Sequence, residues 1–341
     1  LNGGNHPRRF PRVAALLFLS LDRPRGNMRK IFIMHPGNAN YPEVTAYKNY
    51  FQARGVDVVI GTMSEYKQLE QKEHFLLWAI MGFYPNRLAS DFVIHDYRSL
   101  SVGGLPAMKD FAKRFFNSQP NLRIFQNTRQ QEIMGFGPGV PSVILPMGVP
   151  NWIFDVKEDD SQASKKANFC YIGEMSVERG FDRVLEAFVK KFSSRQISLL
   201  LVGKPDPRIY QRFSKADNLI FTGPLPQRDA LKHVAESEVA VCYFPYHRPH
   251  CYQTPTKLLE YAALGKKILC NDSPSNIQCC EEMGINSVIT TANIFDGIDE
   301  DAMRDAKGNR RSDFENLMWD RVIERSNVAS FLPKDIQLSL S

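Results

Sequence analysis

The sequence predicts an α/β protein built as two Rossmann-like parallel-sheet domains that face each other across a cleft. Three observations lead there. Short apolar runs alternate with amphipathic helical stretches along almost the whole chain, which is the pattern of βαβ units and of a parallel sheet. The alternation lapses over 155–166 into a polar stretch without hydrophobic periodicity and then restarts. A length of 341 residues suffices for two domains of ordinary size. Loops at the carboxyl ends of parallel strands hold ligands, so the cleft between two such edges is the expected site.

Residues 1–27 contain no Met, and Met28 stands directly before the first strand pattern. They are expected to be an extension outside the fold. Their apolar run at 13–21 is too short to span a bilayer and lacks a small-residue cleavage site, which leaves a weak membrane contact as the alternative. A first domain is expected over 28–150, a linker over 151–167 and a second domain over 168–311. A long helix carrying Trp319 is expected near the end, within residues 312–341, crossing back to the first domain.

In order, the pattern reads as a strand at 29–34, a helix at 43–54, a strand at 56–60 and a helix at 65–78. A turn follows at 81–85, then a strand at 91–94, a helix at 106–117, and strands at 122–125 and 143–145. In the second half, strands are expected at 169–172, 197–202, 219–221, 239–244, 268–270 and 288–291. Helices are expected at 181–192, 209–216, 228–235, 255–264, 275–283 and 312–331. The helix at 106–117 has two readings. Met108, Phe111, Ala112, Phe115 and Phe116 make one apolar face, while Lys109, Lys113 and Arg114 are basic. A core-packing helix with a solvated basic face is the preferred reading, and contact with an anionic membrane surface is the other.

Composition excludes some classes. Hydrophobic residues make up 43% and charged residues 23%, as in soluble globular proteins. The net charge is +6, but five arginines against Asp22 in residues 1–27 supply +4 of it, so the remainder does not argue for nucleic acid. The six cysteines form no C-x-x-C pair. Cys170, Cys242 and Cys270 lie in apolar strand-like runs and Cys279-Cys280 in a helix, which suits buried thiols in a reducing cytoplasm.

Candidate chemistry centres on the stretch from Thr254 to Gly265. Thr254 is a suitable N-cap, Pro255 suits the first helical position, and Gly265 fits the helix end. The helix start combines N–H groups, the positive dipole end, Thr254, Thr256 and Lys257, which together suit a phosphate. Glu260, one turn on, could accept from two ribose hydroxyls. The bland alternative is an ordinary capped helix. The loop after the first strand offers Gly37, Asn38 and Asn40 but lacks the G-x-G-x-x-G fingerprint. His95 and Asp96 begin a polar cluster expected just past a strand, where His95 is either functional or a satisfied strand-end histidine.

Three stretches resemble a known family. The run Tyr171-Ile172-Gly173-Glu174-Met175-Ser176-Val177-Glu178-Arg179-Gly180-Phe181 is similar to the first strand and phosphate loop of the retaining, two-Rossmann-domain (GT-B) glycosyltransferases of family four, or group one. Thr254 to Gly265 resembles that family's nucleotide-ribose motif. Gly148-Val149-Pro150 with Phe154 resembles its interdomain segment. The resemblance implies transfer of a sugar, a hexose in the main reading, from a nucleotide-sugar donor to a glycan or lipid-linked acceptor. The anomeric configuration is retained and no metal or other cofactor takes part. By position it implies Arg179 on the diphosphate, Glu260 on the ribose, and Thr254, Pro255, Thr256 and Lys257 at the phosphates. Gly173, Tyr246 and His247 line the donor site, Gly37 approaches the phosphate or acceptor, and His95 lies near the transferred sugar. His95, Arg179 and Lys257 would be the catalytic set. A cytoplasmic protein, at the inner face of the membrane if peripheral, is the implied setting.

Two departures stand out. Tyr252 occupies the place of a family glutamate that faces the donor sugar, and Glu174 stands where arginine is frequent. They keep open a non-catalytic nucleotide-sugar-binding partner. A nucleotide-sugar epimerase is the other alternative, with Asp96 and Glu174 as its only candidate proton-transfer groups. His247 and His250 are weak metal-ligand candidates and better donor contacts.

Overall fold

The computed structural model describes residues 30–37, 41–80, 82–156, 167–193 and 196–340. Residues 1–27, Asn38, Asn40 and most of the expected linker lie outside the described residues.

The first half forms a parallel sheet of β1 (Lys30–Met34), β2 (Asp57–Gly61), β3 (Phe75–Ile80), β4 (Phe92–Tyr97), β5 (Leu122–Phe125) and β6 (Ser142–Ile144), in the order β2-β1-β3-β4-β5-β6. Its helices are α1 (Pro42–Gln52), α2 (Met63–Gln68), α3 (Pro106–Phe116) and α4 (Thr128–Met134). The second half repeats the plan with β7 (Ala167–Ile172), β8 (Leu199–Val202), β9 (Leu219–Gly223), β10 (Ser237–Cys242), β11 (Lys267–Asn271) and β12 (Val288–Thr290), ordered β12-β11-β10-β7-β8-β9. Its helices are α5 (Phe181–Phe192), α6 (Pro207–Phe213), α7 (Gln227–Ala235), α8 (Thr256–Ala263), α9 (Pro274–Met283) and α10 (Glu300–Asp305). α11 (Trp319–Arg325) and α12 (Lys334–Leu340) follow. Every strand pair is parallel. The expected α/β class with two parallel sheets is therefore observed. Strand order reverses at β1/β3 and at β7/β10, and ligand crevices in such sheets open at those reversals.

Three expectations are corrected. The stretch 65–78 is not one helix. α2 ends at Gln68, Gln71 takes a left-handed φ of 51°, and Phe75 begins β3. Phe-Leu-Leu-Trp-Ala-Ile is a continuous apolar run buried at every position, which suits a central parallel strand and which periodicity alone does not separate from helix. The stretch 312–331 is not one long helix either. A 3-10 turn spans Arg311–Leu317, α11 begins at Trp319, and Asn327 takes a left-handed φ of 55°. The break has a cause: Val149 N–H donates to the Leu317 carbonyl at 2.8 Å, and Trp319 N–H donates to the Val149 carbonyl at 3.1 Å. That bridge needs extended backbone at Met318. It also brings Trp319 so close to Gly148 that a Cβ there would lie 2.8 Å from the indole. Trp319 then packs edge-on against Tyr47 of α1, with ring centroids 6.0 Å apart.

The third correction concerns the polar cluster. β4 runs on to Tyr97, so His95 and Asp96 lie inside the strand rather than past it. Asp96 is fully buried and forms a 2.8 Å ion pair with Arg98, itself 4% exposed. The same carboxylate accepts from Trp78 Nε1 at 2.9 Å and Tyr47 Oη at 3.2 Å, and Arg98 donates to the Leu145 carbonyl at 2.6 Å. One buried ion pair thus ties together α1, β3, β4 and the end of β6.

Candidate functional site

α8 is held in place by its buried apolar residues Leu258, Leu259, Ala262 and Ala263 and by Tyr261, whose hydroxyl accepts from Ile172 N–H of β7 at 3.3 Å. Glu260 lies on the same helix and is only 3% exposed. A buried carboxylate needs partners, and both oxygens have one. Lys257 Nζ lies 2.9 Å from Oε2, and Gln227 Nε2 donates to Oε1 at 2.6 Å. Gln227 was not singled out from sequence. It reaches Glu260 from the first residue of α7, 33 positions earlier, and no local pattern reports that.

Thr256, Lys257, Glu260 and Gln227 line a cavity of about 330 Å3 with Gly173 and Gly203, at the carboxyl ends of β7 and β8. Pro42, at the start of α1, contributes from the first sheet. Gly203 has φ 141°, and a Cβ there would collide with the Gly173 carbonyl oxygen. The two strand ends therefore meet backbone to backbone at Gly173 and Gly203.

The start of α8 differs from expectation. Pro255, not Thr254, is the N-cap, and no side chain caps the helix. Thr254 is drawn elsewhere: its N–H donates to Gln126 Oε1 at 2.8 Å, and the Tyr252 carbonyl accepts from Asn127 at 3.1 Å and Gln130 at 3.3 Å. The segment before α8 is thus stapled to the turn after β5. The first-turn N–H groups of a helix have no intrahelical partner, so an uncapped start facing a cavity suits an anion.

Arg179 sits in a second group. It lines a separate cavity of about 310 Å3 with Gly180, Tyr243 and Tyr246. Its guanidinium pairs with Glu174 at 3.1 Å, and its carbonyl accepts from Tyr243 Oη. Tyr246 Oη donates to Asp272. His247 is exposed, with its ring 5.4 Å from that of His250. Burial, with Arg179 and His247 adding positive charge nearby, lowers the His250 pKa to about 4. Tyr252 turns toward the first sheet, with the Arg129 guanidinium 4.6 Å from its ring. Among the described residues no cluster of His, Cys, Asp or Glu could hold a metal ion.

Gly37 and His95 are not brought into either cavity. Gly37 is exposed, with φ 80° and its N–H donating to His35 Nδ1 at 3.1 Å. His95 is 2% exposed, with its ring 5.3 Å from that of Tyr84 and its Nδ1 3.5 Å from Tyr97 Oη. Burial, with Arg123 nearby, lowers its pKa to about 4. The unfolded chain takes up this proton below about pH 6.5, and the folded chain only near pH 4. Stability therefore falls as pH drops through that window, on the order of 2–3 kcal/mol for this one group. His95→Gln is expected to flatten the loss, leaving the part due to His250. Denaturation midpoints at pH 7, 5.5 and 4.5 measure it, and an unchanged slope in the variant would count against a neutral buried His95.

No protein-family model matches the chain, and no curated protein matches it. Solved structures do resemble it. The sucrose-phosphate synthase of Thermosynechococcus elongatus superposes with a TM-score of 0.57 at 14% identity, covering 91% of this chain and 97% of that one. Anabaena HepE, solved with UDP and glucose, gives 0.55 at 11% identity, covering 87% and 94%. A glycosyltransferase of Rickettsia africae gives 0.58 at 10% identity, covering 91% and 97%. At these identities the likeness establishes the fold, which is that of the GT-B glycosyltransferases.

Proposed function

We propose that this chain transfers a sugar from a nucleotide-sugar donor to a glycan or lipid-linked acceptor, with retention at the anomeric carbon. The observation that carries the reading is the Lys257–Glu260–Gln227 cluster in the cavity below the uncapped start of α8. Glu260 is the ribose acceptor: two hydroxyls replace or share the bonds now made by Lys257 and Gln227. Lys257 then turns to the diphosphate, where the first-turn N–H groups of α8 and Arg179 also meet it. Charge that grows on the departing diphosphate is met by donors already in place, which favours the transition state over the ground state. His95, buried in β4, has no direct part in this reading.

A second reading, a nucleotide-sugar-binding partner without turnover, is favoured by the Arg179–Glu174 pair, which occupies the cation the leaving group needs. The epimerase reading is supported less, because Asp96, one of its two candidate proton-transfer groups, is fully buried and paired with Arg98.

A thermal-shift screen with nucleoside diphosphates tests the nucleotide site. Binding to the folded state alone must raise the melting temperature. Glu260→Ala is expected to weaken nucleotide affinity by roughly 10- to 100-fold, the loss of hydrogen bonds to a charged acceptor. A folded variant with unchanged affinity would reject the ribose role. Release of free nucleoside diphosphate with a glycoside product separates the two readings.

A further inference from the structure

The helices of this fold bury their apolar faces, as α5 buries Phe181, Val184, Leu185, Phe188 and Phe192. α3 does the reverse. Met108, Phe111, Phe115 and Phe116 lie on one face at helical spacing and are 58–63% exposed. The only buried residue of the helix is Asp110. Asp110 accepts from Ser101 N–H at 3.0 Å, pairs with Arg248 from the loop after β10, and lies 3.8 Å from Lys113. The polar face is thus anchored inward and the apolar face is turned to solvent. This overturns the core-packing reading of the helix. The preceding loop adds Val102 and Leu105, 59% and 67% exposed. The Phe83 loop is tied to the end of α3 by Tyr84 N–H donating to Asn117 Oδ1 at 2.7 Å, and Phe83 is 49% exposed.

Charge selects the occupant. At 100° per residue, Lys109 and Arg114 fall on opposite borders of the apolar face, and both are exposed. Asp110 is the only acid between Tyr97 and Gln131, and it is buried and paired. Arg129 of α4, half-buried, lies in the same span, and the next acid after Asp110 is Glu132, exposed on α4. A second copy related by a two-fold axis would set Lys109 and Arg114 against their own images, with Glu132 of α4 the one exposed acid between Tyr97 and Pro150 to meet them. Protruding aromatic side chains bordered by cations instead match the headgroup region of a bilayer that carries anionic lipid. The geometry points to α3, with the Val102–Leu105 loop, as a membrane-docking face. The Asp110–Arg248 pair sets the inner side of α3 beside the loop of His247 and His250. The inference stands apart from the catalytic reading, because it needs neither nucleotide nor turnover.

The test is flotation of the full chain with vesicles of phosphatidylcholine alone, and with vesicles in which about a third of the lipid is phosphatidylglycerol. The expected result is binding to the anionic vesicles that weakens with salt, and little binding to the neutral ones. The double variant Phe111→Ser, Phe115→Ser should lose roughly tenfold or more in binding, with an unchanged or higher melting temperature because both rings are exposed. Lys109→Glu with Arg114→Glu should abolish the preference for anionic lipid while leaving nucleotide affinity alone. The inference is overturned if the serine variant binds as the unaltered chain does, since another segment then holds the bilayer. Absence of vesicle binding overturns it too, as does a dimer in sedimentation velocity that the serine variant dissolves without any lipid binding.

Discussion

Arg179→Ala is expected to lower kcat/KM for sugar transfer by roughly 100-fold or more, the magnitude of losing one preorganised donor to a charge that develops in the reaction. Arg179 stands in the loop after β7, where strand order reverses, 24% exposed and paired with Glu174. In a merely structural role its removal would change stability by less than about 0.5 kcal/mol and nothing else, because a part-exposed loop ion pair contributes little. In the functional role the guanidinium leaves Glu174 for the diphosphate oxygens, so its effect falls on kcat more than on KM. Arg179→Lys should restore part of the rate, keeping the charge but losing the forked geometry. Glu174→Gln should act in the opposite sense and tighten nucleotide binding by up to about fivefold, since it removes the competing carboxylate. Rates are to be measured with the cognate donor. Wild-type transfer by Arg179→Ala would mean that the phosphate site is misplaced, and the roles given to Thr256 and Lys257 would weaken with it.

Asp96→Ala is expected to destabilise the first sheet by about 3–5 kcal/mol, because it strands the Arg98 guanidinium in the core. Three partners lose an acceptor at once: Arg98, Trp78 Nε1 and Tyr47 Oη. A loss of that size should lower the melting temperature on the order of 10 °C. Replacing both charges together, Asp96→Leu with Arg98→Met, should cost less, since Arg98 is not stranded, and what remains falls on Trp78 and Tyr47 and on buried Glu43, which loses its neighbouring cation. The comparison of single and double variants by calorimetry decides the matter. A single variant no less stable than the double would show that water or another group already satisfies Arg98. Loss of an epimerase-like activity without loss of stability would return Asp96 to chemistry.

Much of the second half of the chain was legible because its signals are local. Ile268-Leu269-Cys270, the Leu258/Leu259/Ala262/Ala263 face and the Gly173–Phe181 run each declare an element within a dozen residues, and each is found where expected. The first half was less legible for the same reason. β3 has an apolar run that fits a helix or a buried strand equally well, and only its pairing between β1 and β4 settles it. The break at Met318 depends on Val149, far away in sequence.

By itself, the sequence determined that the chain alternates strand and helix in two parallel-sheet units, and that α8 carries Thr256, Lys257 and Glu260 on its first turns. Tertiary structure alone decided which partners those groups meet. Gln227 joins Glu260, Asp96 is lost to Arg98, Tyr252 turns to the first sheet, and α3 shows its apolar side to solvent. The physical reason is rotation. Periodicity states that a helix has an apolar face, but not which way that face points. For α3 the direction is set by one buried carboxylate, Asp110, whose partners Ser101 and Arg248 come from a loop before the helix and from the other sheet.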